Sequence, residues 1–174
     1  MKRFGLSLCG ALLAFAGTAS AQEVTITMHL VNADGVGEQV GLVSAQDTAR
    51  GLKVTPNLRG LSEGAHGFHV HQNPNCGPAK KGGKVVPGLG AGGHYDPKKA
   101  GKHEGPDGSG HLGDLGVLYV NEDGTATRSQ FVLRLKVSDI IGRSLMIHAG
   151  GDNYSDDPAA LGGGGARAAC GVIR

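Results

Sequence analysis

Residues 73–114 constrain this chain more than any other stretch. They read NPNCGPAKKGGKVVPGLGAGGHYDPKKAGKHEGPDGSGHLGD, dense in Gly, Pro, Lys and His. An irregular segment of that length inside a compact domain is either functional or unstructured, so something must order it if it is to fold. A second such stretch, 150–168, carries Gly162–Gly165 in a row. The chain has 32 glycines in 174 residues. Glycine at this density excludes a bundle of long helices, because each interior Gly costs roughly 1 kcal/mol against Ala. No three-residue Gly period runs through the chain, which excludes a collagen-like fold.

The amino terminus has to be set aside before the rest is read. Lys2 and Arg3 precede an apolar run from Phe4 to Gly17, followed by Ala19-Ser20-Ala21. This is the layout of a secretory signal peptide, with cleavage expected after Ala21. The run is too short to span about 30 Å of hydrocarbon, and no later segment is long and apolar enough to do so. The expected division is therefore 1–21 as a cleaved leader and 22–174 as one mature domain. Cleavage removes two basic residues and no acid, so the formal net charge of +2 falls to about zero. It also removes Cys9. Cys76 and Cys170 remain, and two cysteines in an exported chain are expected to form one disulfide. The expected location is a bacterial periplasm. A charge this small does not mark a nucleic-acid binder.

The rest of the chain reads as short strands. In Glu23–Val31 the apolar residues Val24, Ile26, Met28 and Leu30 alternate with others, the period of a half-buried strand. Similar runs recur at Gly41–Thr48, Leu52–Leu58, Ala65–Gln72, Leu115–Val120, Thr125–Leu135, Leu145–Ala149 and Ala169–Ile173. Turn sequences such as Asn32-Ala33-Asp34-Gly35 and Asn121-Glu122-Asp123-Gly124 separate them. The expected fold is all-β: an eight-stranded antiparallel Greek-key barrel or sandwich, immunoglobulin-like, with two long functional loops. A short helical turn is expected within Val137–Arg143.

The eight histidines are not spread evenly. His69 and His71 stand two apart on a strand, so their rings point to one face. His94, His103 and His111 lie in the long loop, with Asp114 three residues further, and His148 ends an apolar strand. Three imidazoles and a carboxylate close a tetrahedron around zinc and leave no position for water, which makes such a zinc structural. It would also supply the order that the loop lacks. His29 and His66 read instead as hydrogen-bonded structural residues.

The motifs GFHVH (67–71), AGGHYDP (91–97), GKHEGP, GHLGDLG, MIHAGGDNYSD (146–156) and GGGGARAACGVI (162–173) resemble those of the copper/zinc superoxide dismutases, closely so the bacterial periplasmic branch. The likeness runs through essentially the whole mature chain. It implies one copper per subunit held by His69, His71, His94 and His148, and one zinc held by His94, His103, His111 and Asp114. His94 would bridge the two. Asp152 would accept hydrogen bonds from one histidine on each metal. Arg167 would attract and dock the superoxide anion, and Cys76–Cys170 would be the family's disulfide. The implied reaction converts superoxide to O2 and H2O2 at a copper alternately reduced and oxidised, with His94 releasing the reduced metal and taking up a proton.

Three other readings compete. A non-enzymatic periplasmic copper/zinc-binding protein would use the same ligands but has no need of Arg167 and Asp152. An immunoglobulin-like adhesion module leaves the clustered histidines without a purpose. A zinc hydrolase of the His-x-His-x-Asp type fails because Gln72-Asn73 follows His71. Lys80, Lys81 and Lys84 read either as a solvated loop face or as an aid to steering the anion. The resemblance allows a monomer or a homodimer, and it assigns residues 73–93 nothing beyond the disulfide.

Overall fold

The computed structural model describes residues 21–174. The expected leader, apart from Ala21, lies outside them. Eleven strands form: β1 Glu23–Asn32, β2 Gly35–Thr48, β3 Gly51–Leu58, β4 Gly64–His66, β5 Phe68–His71, β6 Ala79–Lys81, β7 Lys84–Val86, β8 Leu118–Val120, β9 Gln130–Val132, β10 Arg143–His148 and β11 Arg167–Ile173. One antiparallel sheet runs β5-β10-β11-β1-β2-β3-β9, and β4 pairs with β8. Only Gly67 separates β4 from β5. Counted as one interrupted strand, they join β8 to the large sheet and make the eight expected strands. No helix in the described residues is long and apolar enough to cross a membrane.

The core lies between the curled faces. Ile26, Val43, Leu52, Phe68, Leu118, Leu145 and Ile147 belong to one buried cluster. The alternation expected for β1 holds through Met28 and then slips, because the register against β2 shifts on either side of His29. Leu30 is only half-buried. Val31 is buried instead, in a second cluster with Cys76, Ala91, Met146 and Cys170. The bulge thus turns the end of β1 towards the disulfide.

Two strands are shorter than their sequences suggest. Thr125–Leu135 yields only β9, and Leu115–Val120 only β8. At the seam between them, the Gln130 side-chain amide takes the place of a ladder partner, accepting from Gly116 N (2.7 Å) and donating to Gly116 O (3.0 Å). The helical turn spans Val137–Ile140. Residues 73–93, expected to do no more than carry Cys76, contain the β6–β7 hairpin, on which Lys80, Lys81 and Lys84 are exposed.

Strand β5 pairs on one edge only, with β10. The long loop covers the other edge. Tyr95 N donates to Val70 O, Val70 N to Gly113 O and Gln72 N to Gly93 O. Isolated bridges set His71 beside His94 and His69 beside Asp114. The loop therefore serves as an improvised strand at both ends, and the contacts that satisfy its backbone also bring its ligand-type residues to the histidines of β5.

Candidate metal centre

Phe68 and Val70 face the core, so the strand period turns His69 and His71 to the opposite face. His148 closes β10 on the neighbouring strand, and the loop brings in His94. The ligand atoms of these four histidines lie within 4.8 Å of one another, as do those of His69, His94, His103 and Asp114. His111 stands at the margin of the second group, its Nδ1 3.5 Å from Asp114 Oδ1.

Hydrogen bonding on the outer side of each ring decides which nitrogen faces inward. His71 donates Nδ1–H to Gly92 O (3.0 Å), and His148 Nδ1 faces Gly165 O (3.3 Å). Each then presents a bare Nε2, and these two lone pairs face each other across 3.4 Å. His69 donates Nε2–H to Asp152 Oδ2 (2.7 Å), which leaves its buried Nδ1 without a partner. His94 sets Nδ1 2.8 Å from Asp114 Oδ1, and its buried Nε2 has no partner. Four unpartnered or mutually facing nitrogens on buried rings are costly without a cation to receive them. The donor set of imidazoles, with no thiolate, suits copper or zinc.

The second group repeats this pattern. His103 donates Nε2–H to Asp152 Oδ1 (2.7 Å). Its Nδ1 lies 2.9 Å from Asp114 Oδ2 but without hydrogen-bond geometry, and His111 Nδ1 is likewise buried and unpartnered. Both carboxylate oxygens of Asp114 thus meet ring nitrogens, Oδ1 those of His94 and His111 and Oδ2 that of His103. Three imidazoles and one carboxylate fit zinc.

The protonation preferences follow the same division. Burial, reinforced by neighbouring imidazoles, holds His71 well below its ordinary value and lowers His94 to about 4 and His148 to about 3. Burial also acts on His103, but its contacts with Asp114 and Asp152 outweigh it and raise that ring to about 9. Burial would raise Asp114 and Asp152, yet their histidine contacts keep both well below the ordinary carboxylate range. The first group stays neutral and ready for metal. In the second, the two carboxylates favour the charged form of His103.

Glycines complete the frame, one of them in the four-glycine run 162–165. Gly162 has φ 74, and a Cβ there would collide with Asp152 Oδ1 and lie 2.8 Å from His103 Nε2. The four-glycine run thus lets backbone close directly over the carboxylate. The Gly92 carbonyl accepts from both His71 and Arg167 (Nη2, 2.6 Å). The Cys76–Cys170 disulfide is present, with Cα atoms 5.7 Å apart. His66 is structural as expected, its ring between His148 O (2.7 Å) and Ser62 O (2.8 Å), and His29 is a half-buried residue of β1 outside the cluster.

A family model described as "Copper/zinc superoxide dismutase" matches residues 38–173. The chain belongs to the copper/zinc superoxide dismutase family. It is 53% identical, over the full length of both chains, to "Superoxide dismutase [Cu-Zn] 2" of Salmonella typhimurium, and 49% identical over the full length to "Superoxide dismutase [Cu-Zn]" of Escherichia coli. The solved copper/zinc superoxide dismutase from Brucella abortus superposes with a TM-score of 0.87 at 49% identity, covering 88% of this chain and all of that one. The chain's own ligand-type residues fall into two groups that share His94 and His69.

Proposed function

We propose that this chain is an exported superoxide dismutase that removes superoxide in the bacterial periplasm. Residues 22–174 form the working domain after removal of 1–21. His69, His71, His94 and His148 hold copper, and His94, His103, His111 and Asp114 hold zinc, one ion of each per subunit. The observation that carries the reading is His94, whose Nδ1 lies against Asp114 on the zinc side while its buried Nε2 has no partner on the copper side.

Copper held there would supply one-electron chemistry that, with two protons, turns two superoxide ions into O2 and H2O2, and zinc would supply a fixed charge. The protein does the rest. Asp152 takes N–H from one ring of each group and so sets both ring planes together. His94 Nε2 is the ring atom able to take up and return a proton while Nδ1 stays anchored on the Asp114 side. Exposure at the copper group is 0% for His69, 1% for His71, 4% for His94 and 6% for His148. The group is thus almost closed to solvent, and His94 and His148 are its least covered members. Arg167 sits across from His148 in the β10–β11 pairing. Its guanidinium keeps its charge and offers fixed donors to the anion.

The test is to purify the mature protein, count copper and zinc per chain and assay superoxide removal. One ion of each with fast turnover is expected. Full metal loading without turnover would leave a binding protein in its place. Sequencing the amino terminus from a periplasmic extract tests the leader, and a start at Gln22 is expected.

A further inference from the structure

Two of the three histidines read above as zinc ligands, His103 and His111, are joined by the turn 104–110, which contains three glycines and a proline. Such a sequence has little preference for one conformation. One backbone hydrogen bond, His111 N to Lys102 O (2.9 Å), spans its base, and within it Glu104 Oε2 accepts from Ser109 N (2.9 Å) and Ser109 Oγ (2.8 Å).

Two side chains from elsewhere hold it. Arg134 follows β9 in the barrel. Its Nε donates to Pro106 O (2.8 Å), and its Nη2 donates to Gly105 O (3.1 Å) and to His111 O (3.0 Å). One half-buried guanidinium thus gathers three carbonyls of the turn, including that of a ligand residue. From the other side comes Tyr154. Its ring lies against Gly105, where a Cβ would sit 2.7 Å from the ring's Cγ, and its hydroxyl accepts from Val117 N (3.0 Å) just before β8. Tyr154 itself has φ 59, a left-handed conformation uncommon outside glycine. In that conformation its N–H donates to Asp152 Oδ1 (2.8 Å), the oxygen that orients His103.

We propose that Arg134 and Tyr154 are positioning residues that clamp the Gly105–His111 turn, so that the barrel sets the zinc affinity of the loop. The inference rests on the zinc assignment above. Neither residue is a ligand. Arg134 fixes the backbone of His111 from the barrel side, and Tyr154 ties the turn to Asp152 and to Val117. A lysine in place of Arg134 would keep the charge but lose the fork that spans three acceptors.

The experiment uses metal-free full-length mature protein and zinc alone, with affinity read by competition against a chromophoric chelator. Cobalt(II) placed in the same site reports ligand geometry through its visible absorption bands. Arg134→Ala and Tyr154→Ala are each expected to weaken zinc by roughly 10- to 100-fold, the range for groups that orient metal ligands, and to shift the cobalt bands. Arg134→Lys is expected to recover little, and Tyr154→Phe, which keeps the ring, most of the affinity. Wild-type zinc affinity and an unshifted cobalt spectrum in both alanine variants would overturn the clamp. If Arg134→Ala does not fold, the decision passes to Arg134→Lys, and wild-type values there would overturn the role of the guanidinium fork. A wild-type protein that takes up no zinc, or keeps its full affinity after His111→Ala, would overturn the zinc assignment and the clamp with it. Wild-type binding that depends on His111 but not on Arg134 or Tyr154 would overturn the clamp alone.

Discussion

Arg167 donates to the Gly92 carbonyl across 2.6 Å, and the same oxygen receives the Nδ1–H of His71. One backbone atom therefore fixes the distance between the charge that would meet the substrate and a ligand of the centre where it would react. Gly88, four residues earlier, lies under the Arg167 side chain, where a Cβ would come 3.2 Å from its Cδ. The cysteine pair ties this subloop to β11, the strand that carries Arg167, so the carbonyl and the guanidinium it holds are fixed to one another.

Arg167→Ile should therefore slow superoxide removal by about 10-fold at low ionic strength, the lower end of the range for electrostatic steering, and flatten its salt dependence. Residues 22–174 carry as many basic as acidic side chains, so little distant net charge is available to compensate. Rapid kinetics across a salt series reads both effects, and an unchanged rate and slope would remove Arg167 from the mechanism.

Asp152 orients one ring in each group. Asp152→Asn keeps its size but can accept at only one of the two positions, which leaves either His69 or His103 free to turn. Zinc affinity should fall by roughly 10-fold or more. Chelator competition measures it, and wild-type affinity would show that backbone packing alone sets the rings.

The metal-free protein should lose stability as pH falls from about 6.5 to 4. Over that window the unfolded histidines take up protons, while His71, His94 and His148 stay neutral in the fold. The unfolded state then binds more protons and is favoured. His103 has the opposite sign. Raised to about 9, it contributes fully below 6.5 and loses its contribution as pH rises through 9. The lowered Asp114 and Asp152 lose theirs only in stronger acid. Thermal melts from pH 9 to 4 should show a maximum near neutrality and a fall of at least several degrees on the acid side.

Cys76 and Cys170 are 94 residues apart in sequence. Closing a loop of that length contributes about 4–5 kcal/mol in the chain-entropy account. Cys76→Ser with Cys170→Ser should lose a comparable amount in urea denaturation. It should also lower turnover in the protein that remains folded, because Gly88 and Gly92 are no longer tied to β11. Full turnover in the folded variant would separate the disulfide from the positioning of Arg167.

The sequence by itself determined most of the strands, the shared face of His69 and His71 and the list of ligand-type residues. These depend on local period and side-chain chemistry: His69 and His71 share a face because a strand alternates, whatever surrounds it. It also carried the family motifs, which the family match and the solved structures bear out. It did not determine where the long loop would lie. That was decided by the free edge of β5, whose unpaired backbone groups need partners and find them at Gly93, Tyr95 and Gly113. The slip in β1 that sends Val31 towards the disulfide, the shortening of β9, and the work of Gly92, Gly162, Arg134 and Tyr154 also emerged only in three dimensions. Each depends on a carbonyl or a close approach between residues distant in sequence, and neither leaves a periodic trace in the chain.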